Sequence, residues 1–98
     1  MMNYLKDVGF SSTMINNIIL KNDKDTIESL DLYANNVVNV IKYLTEIGIE
    51  DIYGLLLYRS YIFLEDVDYI KKLFDQCTIN KIIEMINEDQ VNFELVGL

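Results

Sequence analysis

The chain predicts an all-α fold, and three observations carry that reading. It holds no proline and only four glycines in 98 residues, so hairpin turns and long irregular loops lack their usual residues. Apolar residues recur at spacings of three and four along most of the chain, the period of an amphipathic helix. One corner occurs twice: Tyr4 to Phe10 reads YLKDVGF and Tyr43 to Ile49 reads YLTEIGI, each an apolar-periodic run that stops at a glycine and restarts shortly after it. Two copies of one corner predict repeated helical hairpins. The expected architecture is a short array of hairpin repeats, right- or left-handed, of about six to eight helices. It forms a single domain over residues 1–98, with units at about 4–42, 43–72 and 73–90 and a C-terminal tail at 91–98. A chain of this size buries roughly 60–70% of its unfolded surface, enough for a modest core with little left for a deep cleft.

The elements follow in order. Asn3 is placed to cap a first short helix with Tyr4, Leu5 and Val8 on its apolar side. Gly9 fits the left-handed position that ends a helix, and Phe10 packs back on the preceding turn. Ser11 or Ser12 caps a second helix whose buried face is Met14, Ile15, Ile18 and Ile19, ending near Asn22. Asp25 with Glu28 makes an acidic variant of the capping box, so a third helix is expected from about Thr26, with Ile27, Leu30 and Leu32 apolar. Asn35 and Asn36 are poor helix formers, which predicts a break and then a helix from about Asn35 to Ile47.

Gly48 closes that helix, Ile49 packs past it, and Glu50 or Asp51 caps the next, with Ile52, Tyr53, Leu55 and Leu56 apolar. Gly54 inside this helix costs about 1 kcal/mol relative to alanine, so close packing against a neighbouring helix is its expected reason. Ser60 to Leu64 reads as a hydrophobic connector. A helix from Glu65 to about Gln76 follows, with Val67, Ile70, Leu73 and Phe74 inward and Glu65, Asp66 and Asp68 at its N-terminus, where the macrodipole favours negative charge. Thr78 caps a last helix containing Ile79, Ile82, Ile83 and Ile86. Val91, Phe93, Leu95 and Val96 then fit either a strand-like arm or a terminal helical turn.

Gly9 and Gly48 lie 39 positions apart in the chain, and beyond them Ile15, Ile18 and Ile19 align with Ile52, Leu55 and Leu56 once two residues are dropped. A weaker third unit sets Leu73 where Leu44 stood and lets Ile82, Ile83 and Ile86 echo Ile52, Tyr53 and Leu56. With VGFS at Val8 to Ser11, IGIED at Ile47 to Asp51 and LLLYRSYIFL at Leu55 to Leu64, the chain resembles the mTERF family, the mitochondrial transcription termination factor repeats. The resemblance covers most of residues 4 to 88 and implies an mTERF-like solenoid. The repeat's proline is missing, with Asp23 and Tyr61 near its place. The repeat's basic residue appears as Lys21 and Arg59 but turns acidic, Glu88 or Asp89, in the third unit. Family members of the mitochondrial type bind duplex DNA along a basic concave face, so the resemblance also implies a nucleic-acid surface.

Charge speaks against that second implication. Eight basic and sixteen acidic residues give a net charge of −8, whereas non-specific nucleic-acid affinity comes from Lys and Arg displacing phosphate counterions. A local basic face would have to supply it, and its candidates are Lys21, Lys24, Lys42, Arg59, Lys71 and Lys72. The apolar run from Ile52 to Leu64 is broken by Arg59 and Ser60 and falls short of the roughly 20 residues of a bilayer span, so no membrane segment is expected. The N-terminus lacks the pattern of a signal peptide, and the single cysteine, Cys77, excludes an intramolecular disulfide, so a reducing cytoplasm is expected. The wealth of Ile, Asn, Lys and Tyr reads as an AT-rich coding bias and points to a low-GC bacterium or its mobile elements as the source.

Catalytic chemistry has few candidates. There is no histidine, the commonest general base and metal ligand at neutral pH. Four scattered glycines cannot form a phosphate loop. Asp23 and Asp25 lack the glycine and glutamate that a calcium loop requires after them, and Cys77 reads as a structural thiol. The expectation is a non-enzymatic protein with no catalytic residue, no metal and no cofactor. Of seven tyrosines, Tyr4, Tyr43 and Tyr69 fall on apolar stripes. Tyr58 and Tyr61 flank Arg59, and Tyr with Arg is the chemistry enriched in protein interfaces, although aromatic and basic side chains together also stack on single-stranded bases. Tyr58, Arg59 and Tyr61 are therefore the candidate site for a protein partner, which includes a second copy of the chain.

Overall fold

A computed structural model describes residues 1–77 and 79–98. The chain is all-helical, with no strand among the described residues. In order, with η marking 3-10 geometry, the elements are η1 (Asn3–Val8), α1 (Ser12–Lys21), α2 (Lys24–Leu32), α3 (Ala34–Glu46), α4 (Ile52–Tyr58), η2 (Ser60–Leu64), α5 (Val67–Asp75), α6 (Ile79–Glu88) and η3 (Gln90–Val96).

Both expected glycine corners form. Gly9 sits at φ 100° and Gly48 at φ 101°, a region where a side chain is penalised. Gly9 N donates to Lys6 O at 3.2 Å and Phe10 N to Leu5 O at 3.1 Å; Gly48 N donates to Thr45 O at 3.2 Å and Ile49 N to Leu44 O at 3.0 Å. These are paired Schellman closures that satisfy two orphan carbonyls each. A third corner completes the series in the segment whose pattern left two readings open. Gly97, at φ 93°, donates to Glu94 O at 3.1 Å while Leu98 N donates to Phe93 O at 3.2 Å. NFELVGL at Asn92 to Leu98 is thus the same motif as YLKDVGF and YLTEIGI. The tail is helical, and Phe93 and Val96 are buried.

Several helix starts differ from expectation for local reasons. Asn3 lies inside η1, which begins after Met2, buried and left-handed at φ 58°, whose N–H donates to Asp31 Oδ1 at 2.7 Å. Helix α2 starts at Lys24 because Asp23, not Asp25, is the cap: its Oδ1 accepts from Thr26 N at 2.7 Å. That backbone hydrogen bond holds the Asp23 carboxyl below its ordinary value. The break before α3 falls at Tyr33, ahead of Asn35 and Asn36. Ser11 caps α1 through Met14 N, Asp51 caps α4 through Gly54 N, and Asp66 caps α5 through Asp68 N. The connector from Ser60 to Leu64 is a 3-10 turn that buries Ser60, Ile62 and Phe63. The expected cap at Thr78 lies outside the described residues.

Gly54 has a different cause from the one its helix position suggests. A methyl group built on it would overlap Asp51 Oδ2, so the glycine clears space for its own helix's capping carboxylate and not for a neighbouring helix. Two apolar assignments also change: Leu32 is 75% exposed and Tyr69 is 47% exposed, both on the solvent side.

Helix α1 packs on α4, α2 on η2, and α3 on both η2 and α5. One contiguous core runs through them, built from Leu5, Ile18, Leu30, Val37, Leu44, Leu55, Phe63, Phe74 and Phe93 among others. The C-terminal third joins it through an aromatic chain in which Phe74 stands edge-on to Tyr43 and to Phe93, both at 6.1 Å between ring centroids.

Candidate functional site

Arg59 links α4 to η2, and its neighbours on both sides are fixed by one asparagine. Asn22, just past α1, donates from Nδ2 to Ile18 O at 2.8 Å and to Leu56 O at 3.1 Å, and its Oδ1 accepts from the hydroxyl of buried Ser60 at 2.6 Å. This clasp ties the C-terminal end of α1 to that of α4 and to the first residue of η2. It therefore sets Lys21, the residue before the clasp, beside Tyr58, and Lys21 Nζ stands 5.5 Å from the Tyr58 ring centroid. A cation over an exposed ring stabilises by about 0.5–1 kcal/mol.

On the other side of Ser60, Arg59 Nη1 donates to Tyr61 Oη at 3.0 Å, and Tyr61 Oη donates to Leu98 O at 3.2 Å. The candidate trio therefore divides into two contacts, Tyr58 with Lys21 and Arg59 with Tyr61, which follow one another along the chain at the α4–η2 link. Tyr58 is 64% and Tyr61 47% exposed. Such rings, large and stiff with a polar tip, are what interfaces enrich.

The remaining candidate cations fall elsewhere. Lys42 on α3 and Lys71 on α5 line a groove of about 470 Å³ together with Tyr43, Glu46 and Asp68. Lys71 Nζ lies 5.6 Å from the Tyr43 ring centroid. Burial, and after it the charge of Asp75, raises the Tyr43 phenol above its ordinary value. Lys24 forms an exposed i,i+4 pair with Glu28 at 3.9 Å, and Lys72 is exposed on α5. An exposed pair of that kind contributes little to stability.

Three asparagines that sequence reasoning did not single out do much of the positioning. Asn36 on α3 donates to Phe63 O at 3.2 Å and Glu65 O at 2.7 Å and accepts from Val67 N at 3.2 Å, fixing the passage from η2 into α5. Asn87 on α6 donates to Gly48 O at 2.9 Å and accepts from Glu50 N at 3.0 Å, gripping the second corner from both sides. Asn22 is the third. The signal was present in spacing: Asn22 follows buried Ile18 by one helical turn, Asn36 precedes buried Val40, and Asn87 follows buried Ile83.

Other polar groups have structural roles. A cavity of about 250 Å³ beside the second corner contains Asp51 and Asp89, yet these carboxylates cap α4 and η3 through Gly54 N and Val91 N. Cys77 is half-buried, its thiol 3.4 Å from Leu73 O. Among the described residues no group of three or more Asp, Glu, Cys or His side chains is placed to hold a metal ion, and no helix is long and apolar enough to cross a membrane. A scan against protein-family models and searches of the curated proteins and of the solved structures find no match.

Proposed function

We propose that this chain is a non-enzymatic helical module that docks another protein through Tyr58, Arg59 and Tyr61, with Lys21 beside them. The observation that carries the reading is the pair of exposed tyrosine rings, each contacted by a cation, on either side of the Ser60 that the Asn22 clasp holds. Pre-ordered aromatic side chains lose little freedom on binding, which is why they serve as anchors. The test is capture from a cell lysate with the intact protein and with the Arg59→Ala/Tyr61→Ala variant. The variant should lose the captured partner while its helical circular dichroism is unchanged. A variant that captures the same partner removes this surface from the proposal.

We also propose that the module is an mTERF-like repeat array. Two findings support it: three Schellman corners of one sequence pattern, and the pairwise stacking of α1 on α4, α2 on η2 and α3 on α5. The nucleic-acid reading that goes with such an array rests on Lys42 and Lys71 sharing one groove. Labelled duplex and single-stranded oligonucleotides titrated by fluorescence anisotropy test it. Binding that weakens steeply between low and physiological salt supports it, and no binding at low salt ends it.

A further inference from the structure

We infer that the surface formed by Lys21, Tyr58, Arg59 and Tyr61 takes a short acidic peptide segment carrying one or two carboxylates among apolar residues; this rests on the docking reading above. The molecule has two groupings of cations with aromatic rings, and their surroundings differ. In the groove between α3 and α5, Lys42 and Lys71 share the lining with Glu46 and Asp68, so that groove holds its own countercharge. At the α1–α4 end, as in that groove, no cation forms an ion pair, the one found among the described residues being Lys24 with Glu28. No Asp or Glu is recorded in contact with Lys21 or Arg59, and the Leu98 carboxyl oxygen reaches Arg59 only through the Tyr61 hydroxyl. Of the five N–H donors of Arg59, the described hydrogen bonds engage one, the bond to Tyr61. The other four make no described hydrogen bond on this half-buried side chain, and a guanidinium fork matches a carboxylate in two-point geometry. The exposed faces of Tyr58 and Tyr61 offer apolar area for the residues on either side of that carboxylate.

The net charge of −8 decides what kind of anion fits. A nucleic-acid strand brings a phosphate at every nucleotide and meets the repulsion of the whole acidic body. One or two carboxylates seated within about 8 Å of these cations, the screening distance at physiological ionic strength, respond chiefly to the cations they touch.

The test is a titration of the ¹⁵N-labelled protein, followed by NMR amide shifts, with the peptide Gly-Leu-Glu-Tyr-Asp-Leu-Gly. The controls are its twin with Gln and Asn for Glu and Asp, and a thymidine octanucleotide. The acidic peptide should shift the amides of Lys21 and of residues 58–61, and the uncharged twin should bind roughly three- to tenfold more weakly. Lys21→Gln/Arg59→Gln should lose the same factor, whereas Lys42→Gln/Lys71→Gln should not. A twin that binds equally well at this surface overturns the carboxylate preference and leaves the docking reading standing. Shifts centred elsewhere, or none at millimolar peptide, overturn this inference without touching capture of a larger partner. Tighter binding of the octanucleotide overturns it in favour of nucleic acid.

Discussion

The corner at Gly9 and the corner at Gly48 share one backbone structure and differ in what grips them. Their φ angles agree within a degree, at 100° and 101°, and each has the same pair of backbone hydrogen bonds. Around Gly9 nothing lies within 4 Å of where a methyl would sit. The Gly48 corner has Ile83 Cγ2 at 3.5 Å from that point and is clasped by the Asn87 amide. The motif itself is therefore local, written in a glycine and the apolar residues five apart that flank it, while its attachment to the rest of the molecule is supplied by a distant helix. The third corner, at Gly97, is anchored in yet another way, through Phe93 against Phe74.

The comparison is broken most forcefully at that third corner. Phe93 is fully buried, and Phe93→Ala should cost about 3–5 kcal/mol in chemical denaturation if the corner is integral to the core. A loss below about 1 kcal/mol would make the last segment peripheral. Asn87→Ala comes next. It removes two exposed hydrogen bonds and should cost about 0.5–1.5 kcal/mol, with faster amide exchange at Glu50; the Gly9 corner, which has no such clasp, should keep its exchange pattern.

Gly9→Ala and Gly48→Ala should each cost about 1–2 kcal/mol and should match closely, since 3.5 Å is an ordinary contact for a methyl and the common φ sets the cost. Gly54 sharpens the contrast between glycine as a turn and glycine as clearance. Gly54→Ala should be close to neutral or mildly destabilising, because loss of the Asp51 cap, about 1 kcal/mol, is largely offset by the gain of about 0.5–1 kcal/mol from an alanine in the helix. Made on an Asp51→Ala background, the same change should stabilise by about 0.5–1 kcal/mol, as glycine removal from a helix ordinarily does.

The smallest effect is alkaline. The Tyr4 phenol donates to Leu30 O at 2.6 Å, and burial, then the charge of Asp31, pushes its ionisation well above the ordinary value. The folded chain thus keeps a proton that the unfolded chain releases near pH 10. Stability from this source is complete below about pH 10 and declines as pH rises beyond it. Tyr4→Phe, less stable at neutral pH, should show a shallower decline between about pH 10 and 11 in thermal melts.

The glycine corners and the inward stripes of α1, α3, α5 and α6 were legible because each is a short-range pattern. The third corner carries the same signal, but Glu94 and Leu95 blur the apolar spacing ahead of Gly97 and the corner is spaced differently from the first two. Of the candidate site, the neighbours Tyr58, Arg59 and Tyr61 could be read together, whereas Lys21 and Leu98 reach them through hydrogen bonds and packing between elements that no local window contains. Gly54 misled for a related reason. Its helix position suggests a neighbour across an interface, and the group it avoids is three residues back in its own chain.

The asparagine clasps have a kinetic consequence. They join residues 27 to 39 apart in the chain, while each corner closes over three to five. Closing the longer loops costs more chain entropy, so the corners can be in place at the folding barrier while the clasps lock on its far side. Removing Asn87 should then leave the folding rate nearly unchanged and speed unfolding by about tenfold for each 1.4 kcal/mol lost. On that ordering, glycines decide how fast the molecule forms, and asparagines decide how long it lasts.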